Sequence, residues 1–241
     1  MWADLRAALS FLTILPLGYA EDRKPGWSFA CYPLVGLLIG GLLAVVAHFS
    51  PFDGQVTSFL VLVAWVVITG GLHLDGFGDS CDGLLATVDP DRRLEIMQDP
   101  RAGSWAVVGL ILLLLGKWTL IPTLPAALLI LPPVAGRWVM VIAAHAFPYA
   151  RSSGLGTFFR KGLGQQQLVI ATATTLGILA LCAQDLIPAL ISSVVAVMTV
   201  LAVGSWAASR LGGGLTGDVY GVLCELTELF CLLGLSLWAN G

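Results

Sequence analysis

HLDGFGDSCDGLLATVDPDRRLEIMQDPRAG, residues 73–103, holds seven of the 15 acidic residues of the chain, from Asp75 to Asp99. Almost everything around it is apolar. The 241 residues are 57% hydrophobic and 11% charged, with a mean hydropathy of +0.89. A soluble globular domain carries about 25% charged residues. A chain with less than half that charge belongs in a bilayer, and its length leaves room for about seven helices of roughly 20 residues each. The fold expected is therefore all-α: a polytopic integral membrane helix bundle, with residues 1–241 forming a single membrane-embedded catalytic domain. A net charge of −3 argues against nucleic acid as a partner.

Within the quoted stretch, Asp75, Asp79 and Asp82 are spaced four and three apart. In a helix that spacing puts all three carboxylates on one face, where they repel one another. A divalent cation bridging phosphates turns the repulsion into binding. The three are candidate metal ligands, and Gly76, Gly78 and Gly83 remove bulk around them. The bland alternative is a solvated loop at a helix end. His73, two residues before Asp75, is read as a base, a ligand or a phosphate donor. Asp89-Pro90 favours a turn, and Pro90 starts a short helix that Asp99-Pro100 stops. Arg92 and Arg93 either clamp phosphate oxygens or make surface ion pairs. Arg101, across the proline from Asp99, is a candidate for binding substrate. Cys81 is read as a packing residue, because a carboxylate site suits a hard cation.

Outward from this stretch, spans are expected at about 29–49, 56–74, 105–121, up to 147, 168–183, 186–209 and 219–238. The segment from Trp2 to Gly18 reads as an interfacial or half-inserted helix. Pro132 and Pro133 should kink or break their span. With these spans, the loops at 20–28, 75–104, 148–167 and 210–218 share one side and hold nine of the 12 basic residues. The three short turns opposite hold none, so the long loops are placed in the cytoplasm. The five cysteines, odd in number and without a CxxC pair, suggest no disulfide framework.

GGGLTGDVYG, residues 212–221, opens the last span. Glycine-rich backbone at a helix start suits an anion, which makes Gly214 and Gly217 candidate binding positions. Asp218 reads as a helix cap or a metal ligand. Glu225, two turns deeper on the same face, is a further candidate ligand or a polar contact to another helix, with Glu228 close to that face. Arg137, near mid-span, should face a cavity or pair with an acid. His145 reads as an interhelical histidine, and Arg151 as a binding residue in the following loop. Lys117 is expected to snorkel to the far surface.

The segments HLDGFGDSCDGL, RRLEIMQDPRAGSWA, SGLGTFF and GGLTGDVYG, in this order between apolar spans, resemble the cobalamin synthase family. The resemblance implies a magnesium-dependent enzyme of the bacterial inner membrane, with its active site facing the cytoplasm. It would join adenosylcobinamide-GDP to α-ribazole or its 5′-phosphate, releasing GMP. It also implies a role for Asp75, Asp79 and Asp82 as acidic motif positions, and docking with other cobalamin-assembly enzymes would explain the membrane location. Two rival classes are a CDP-alcohol phosphotransferase and a transporter. The first expects an arginine that is missing after Asp75-Gly76, and the second does not explain why the acids cluster in one segment.

Overall fold

The computed structural model describes residues 2–18, 24–151, 155–183 and 185–241. Arg23 and the start of the SGLGTFF segment lie outside them. Among the described residues the secondary structure is helical, apart from one parallel bridge between Tyr149 and Leu215.

Helix α1 covers Trp2–Leu12. A 3-10 turn at Pro25–Cys31 leads into α2, Tyr32–Phe49. Helix α3, Gly54–Thr69, begins at Asp53, whose carboxylate accepts from the Val56 N–H at 3.0 Å. The span expected to run on to Leu74 stops five residues earlier. Gly70 and Gly71 both adopt left-handed backbone, at φ 61° and 69°. An L-residue resists that conformation by about 1–2 kcal/mol, whereas glycine is free to take it. The chain turns by 89° at this corner and continues as α4, Leu72–Leu85. Asp75, Asp79 and Asp82, counted from sequence in the 75–104 loop, thus lie in a regular helix, the condition under which their spacing puts them on one face.

Helix α5 is short, Pro90–Ile96, with Asp89 capping it and Pro90 at its first turn. Helix α6 covers Ser104–Leu120, and α7 covers Leu131–Ala146 after a 3-10 turn at Ala126–Ile130. The kink expected from Pro132 and Pro133 is replaced by a helix start. Both prolines sit in the first turn of α7, where their missing N–H groups would have had no intrahelical partner. Helices α8, Leu155–Phe159, and α9, Gln165–Cys182, follow. Helix α10, Leu186–Thr199, joins α11, Ser205–Arg210, through a π-turn at Val200–Gly204. The last helix is α12, Gly217–Ala239.

Six helical stretches are long and apolar enough to cross a bilayer, and the bent pair α3–α4 brings the number to seven if it counts as one span. The protein is a multi-pass membrane protein. Its outer faces are apolar, as on α6, where Val107, Ile111, Leu112 and Leu115 are exposed. The centre is α7 against α12, with α2 and α9 packed on α7 and α4 packed on α12. The five cysteines are free thiols. His145 is exposed at the end of α7 rather than held between helices.

Two expectations change inside this bundle. Lys117 does not reach a surface. Its ammonium is buried, 2.7 Å from Glu225 and 2.5 Å from Glu228, and 4.2 Å from the centre of the Trp65 ring. Arg137 pairs with the other oxygen of Glu228. Two cations and two anions therefore neutralise one another where an isolated charge would cost several kcal/mol. Glu225 is correspondingly not with the α4 aspartates; its charged neighbours are Lys117, Glu228 and Arg137. The sequence reading of Glu225 as a metal ligand gives way to a structural ion pair.

Candidate active site

Helix α4 crosses α12 with the two backbones in contact. A Cβ on Gly76 would lie 2.9 Å from Asp218 Cα, and one on Gly221 would lie 2.9 Å from the His73 carbonyl oxygen. Only glycine permits this approach, and the approach sets the acidic face of α4 beside the first turn of α12. The charges of Asp75, Asp218 and Asp82 all act on Asp79. Thr216, not Asp218, caps α12 by accepting from the Val219 N–H. The Asp218 carboxylate is turned instead to Arg151 Nη2 at 3.1 Å and to the Thr216 hydroxyl at 3.2 Å.

Asp82 has a different setting. Its carboxylate accepts from the Gly103 N–H at 2.6 Å and the Ala106 N–H at 3.0 Å. It thereby closes the N-terminus of α6, for which Gly103 has no side chain to offer. Arg93 also departs from expectation. Its guanidinium is buried and donates to the carbonyls of Gly83 and Leu84, and Arg210 donates to those of Leu84 and Ala86. The two arginines satisfy the C-terminal end of α4, which removes Arg93 from the phosphate clamps. Arg92 pairs with Glu95 at 2.6 Å and Arg101 with Asp99 at 2.6 Å, all at the surface. The Arg101 side chain and backbone N–H hold the Asp99 carboxyl down at about 2. Asp82, Arg92, Asp99 and Arg101 line one polar cleft of about 240 Å³.

At the other end of α4 lies a cavity of about 350 Å³. Its walls are the rings of Phe11, Phe29, Tyr32, Tyr149, Phe159 and Tyr220. Its polar lining includes His73, Asp75, Arg151, Asp218 and Arg160. His73 is 3% exposed, and its Nε2 has no hydrogen-bond partner among the described residues. Arg160 donates to the carbonyls of Ala144 and Phe147 at the end of α7 and, at 3.4 Å, to the Tyr220 hydroxyl.

The glycine-rich segment contributes less directly than its composition suggests. Gly214 is packed against the Ala150 backbone, where a Cβ would lie 2.8 Å from the amide nitrogen. The neighbouring Leu215 N–H is spent on the Pro148 carbonyl at 3.0 Å. Gly214 thus secures the loop to its neighbour, while Gly217, the first residue of α12, lines the cavity. Sequence reasoning missed Arg160 and the six rings. The signals available were the pair Phe158-Phe159 within SGLGTFF and Tyr220 within GGLTGDVYG.

The model of the cobalamin-5-phosphate synthase family matches residues 4–236. The chain belongs to this family. Three relatives, each named adenosylcobinamide-GDP ribazoletransferase, cover nearly the whole chain. The protein from Pseudomonas putida is 41% identical, over 95% of this chain and 97% of the relative. That from Deinococcus radiodurans is 37% identical, over 95% and 83%. That from Desulfitobacterium hafniense is 37% identical, over 94% of each. No solved structure matches the chain.

For a cobalamin-5-phosphate synthase, the question is whether these carboxylates suit a metal. Among the described residues, no group of three or more His, Cys, Asp or Glu side chains forms a metal cage of its own. Asp75, Asp79 and Asp218 are all hard oxygen donors set around the α4–α12 crossing. Such a set fits magnesium, which keeps several waters and takes one or two carboxylates together with substrate phosphates.

Proposed function

We propose that this chain transfers the adenosylcobinamide-phosphate group from adenosylcobinamide-GDP to α-ribazole or α-ribazole 5′-phosphate, with release of GMP. The observation that carries the reading is the α4–α12 crossing. It puts Asp75, Asp79, Asp218 and Arg151 together, between an aromatic cavity and a cleft flanked by arginines. The 5′-phosphorylated acceptor has its 5′-oxygen blocked, so another ribose hydroxyl attacks. That oxygen bonds to the cobinamide-side phosphorus, the bond from this phosphorus to the GMP oxygen breaks, and GMP leaves. Asp75, on the cavity wall, takes the hydroxyl proton. Arg92 and Arg101, facing the polar cleft, hold the departing nucleotide's phosphate. Arg151 keeps Asp218 aimed at the crossing.

Magnesium, held by Asp79 and Asp218, would supply neutralising charge for the pyrophosphate, leaving Asp75 free as the base. Asp82 contributes from its place at the start of α6, with one face towards the polar cleft. The basic residues of the long loops favour the bacterial inner membrane with the site on the cytoplasmic side.

The test is GMP release by purified protein from adenosylcobinamide-GDP plus α-ribazole, with and without Mg²⁺. Release that needs both acceptor and metal, with a cobalamin as co-product, is expected. Folded protein that releases no GMP under any divalent metal would overturn the reading.

A further inference from the structure

The geometry points to the aromatic cavity as the seat of the acceptor's base: a flat, apolar benzimidazole enclosed by rings, with His73 as its polar contact. This rests on the transfer reading above and goes further by dividing the two substrates between two ends of one helix.

Size comes first. A cavity of about 350 Å³ lies near the lower limit of small-molecule sites. It accommodates a nucleoside, whereas a corrin ring bearing an adenosyl group is several times larger and has to stay outside.

Chemistry separates the two flat bases that remain. Guanine carries a carbonyl, a ring N–H and an amino group along one edge, and burial would require a partner for each. A dimethylbenzimidazole nucleoside carries two methyl groups and a single free ring nitrogen. The six rings of the cavity wall favour the second pattern, although Asp75, Gln98, Arg151, Arg160 and Asp218 line it as well. The Phe11 and Phe159 rings are 4.5 Å apart, those of Phe29 and Tyr32 are 4.5 Å apart, and all four line the cavity. His73 lines the cavity, and its buried Nε2, without a partner among the described residues, is a polar atom left over for one ring nitrogen. Asp75, Arg151 and Asp218 lie on the same cavity's lining, where they meet the ribose end of the acceptor.

Helix geometry adds a spacing. Asp75 at the cavity and Asp82 at the polar cleft are seven residues apart on α4, roughly 10 Å along the axis. The nucleotide half of the donor takes the Arg92 and Arg101 end, and the reacting phosphorus falls between, near Asp79. His73 is a positioning residue in this arrangement, acting on the base rather than on the phosphorus.

The experiment combines steady-state kinetics with calorimetry. Phe159→Ala should raise the KM for α-ribazole about tenfold, the loss of one base–aromatic contact. The KM for adenosylcobinamide-GDP should stay within twofold. Phe159→Leu should fall between Phe159→Ala and the native protein. His73→Ala should weaken α-ribazole more than it lowers kcat, and His73→Gln should restore part of the affinity. Calorimetry on the native protein avoids any folding defect. Free 5,6-dimethylbenzimidazole should compete with α-ribazole, and GMP should not. If GMP displaces α-ribazole, or if Phe159→Ala raises only the donor KM, the cavity holds guanine and the inference is overturned. Absence of turnover in the native protein would count against the transfer reading, while α-ribazole binding and its loss in Phe159→Ala would still report on the cavity.

Discussion

Asp82 on α4 accepts a 2.6 Å hydrogen bond from the main-chain N–H of Gly103, at the threshold of α6. The same carboxylate takes the Ala106 N–H at 3.0 Å. A residue expected to serve chemistry therefore also joins two helices. The two roles respond differently to substitution. Asp82→Ala should lower stability by about 1 kcal/mol, the usual worth of a helix cap. Asp82→Asn keeps an oxygen acceptor and should lose only a fraction of that, as read by thermal unfolding in detergent. If Asp82→Asn is stable but loses more than 90% of GMP release, the negative charge is needed for the reaction as well.

The buried ion cluster makes a sharper prediction. Lys117→Met leaves Glu225 and Glu228 with one cation between them. Removing one partner of a buried pair costs about 3–5 kcal/mol. The variant should therefore insert poorly or melt far below the native protein. Combining Lys117→Met with Glu225→Gln restores charge balance and should recover at least half of the loss. No recovery would mean that the Lys117 stem, packed on Trp65, matters more than its charge.

The α4–α12 crossing can be wedged apart. Gly221→Ala adds a methyl group 2.9 Å from the His73 carbonyl oxygen. The protein should still fold, since α12 is long and packs on α7 and α10 as well. Activity should drop at least tenfold, because Asp218 and Asp75 separate. Gly41→Ala is the control; its Cβ would meet nothing within 4 Å, and native activity is expected. Equal loss in both variants would show that glycine-to-alanine changes act through helix insertion rather than the crossing.

Metal dependence should follow the carboxylates of the crossing. Asp79→Asn removes the charge on which Asp75, Asp82 and Asp218 all act. Magnesium titrations of GMP release should show a half-saturating concentration raised at least tenfold, with part of the activity regained at high metal. The charge-balanced pair Lys117→Met with Glu225→Gln should leave that concentration unchanged. A shift of equal size in both would return Glu225 to the metal site.

Local patterns in the sequence predict local structure well here. The four-and-three spacing of Asp75, Asp79 and Asp82 predicts their shared helix face, and apolar runs bounded by turns predict the spans to within a few residues. The Gly70-Gly71 corner escapes because the apolar run continues through it without a charge or proline to mark the bend. Lys117 escapes because its acids lie 108 and 111 residues away. Nothing near Lys117 distinguishes a buried ion pair from a snorkelling side chain. The aromatic cavity is drawn from α1, the turn before α2, α2 itself, the loop after α7, α8 and α12, and no one of these segments supplies more than one of its six rings. Prolines mislead for a related reason: Pro132 and Pro133 look like mid-span breakers until the helix is known to begin at Leu131.

The charge cluster of Lys117, Arg137, Glu225 and Glu228 bears on how the protein is made. Helix α6 leaves the ribosome about 100 residues before α12, so Lys117 arrives long before either acid that neutralises it. Lys117 lies in the last turn of α6, where its long stem lets the ammonium snorkel to the far interface and escape most of the about 2.5–3.5 kcal/mol that a mid-span lysine costs. During synthesis the Lys117 ammonium is expected to sit at that interface until α12 emerges and Glu225 and Glu228 draw it inward. Nascent chains halted before Gly217 should leave a cysteine placed beside Lys117 open to water-soluble maleimide, and full-length chains should shield it. Helix α12, synthesised long after α6, then completes both the reacting face and the burial of the earlier helix's charge.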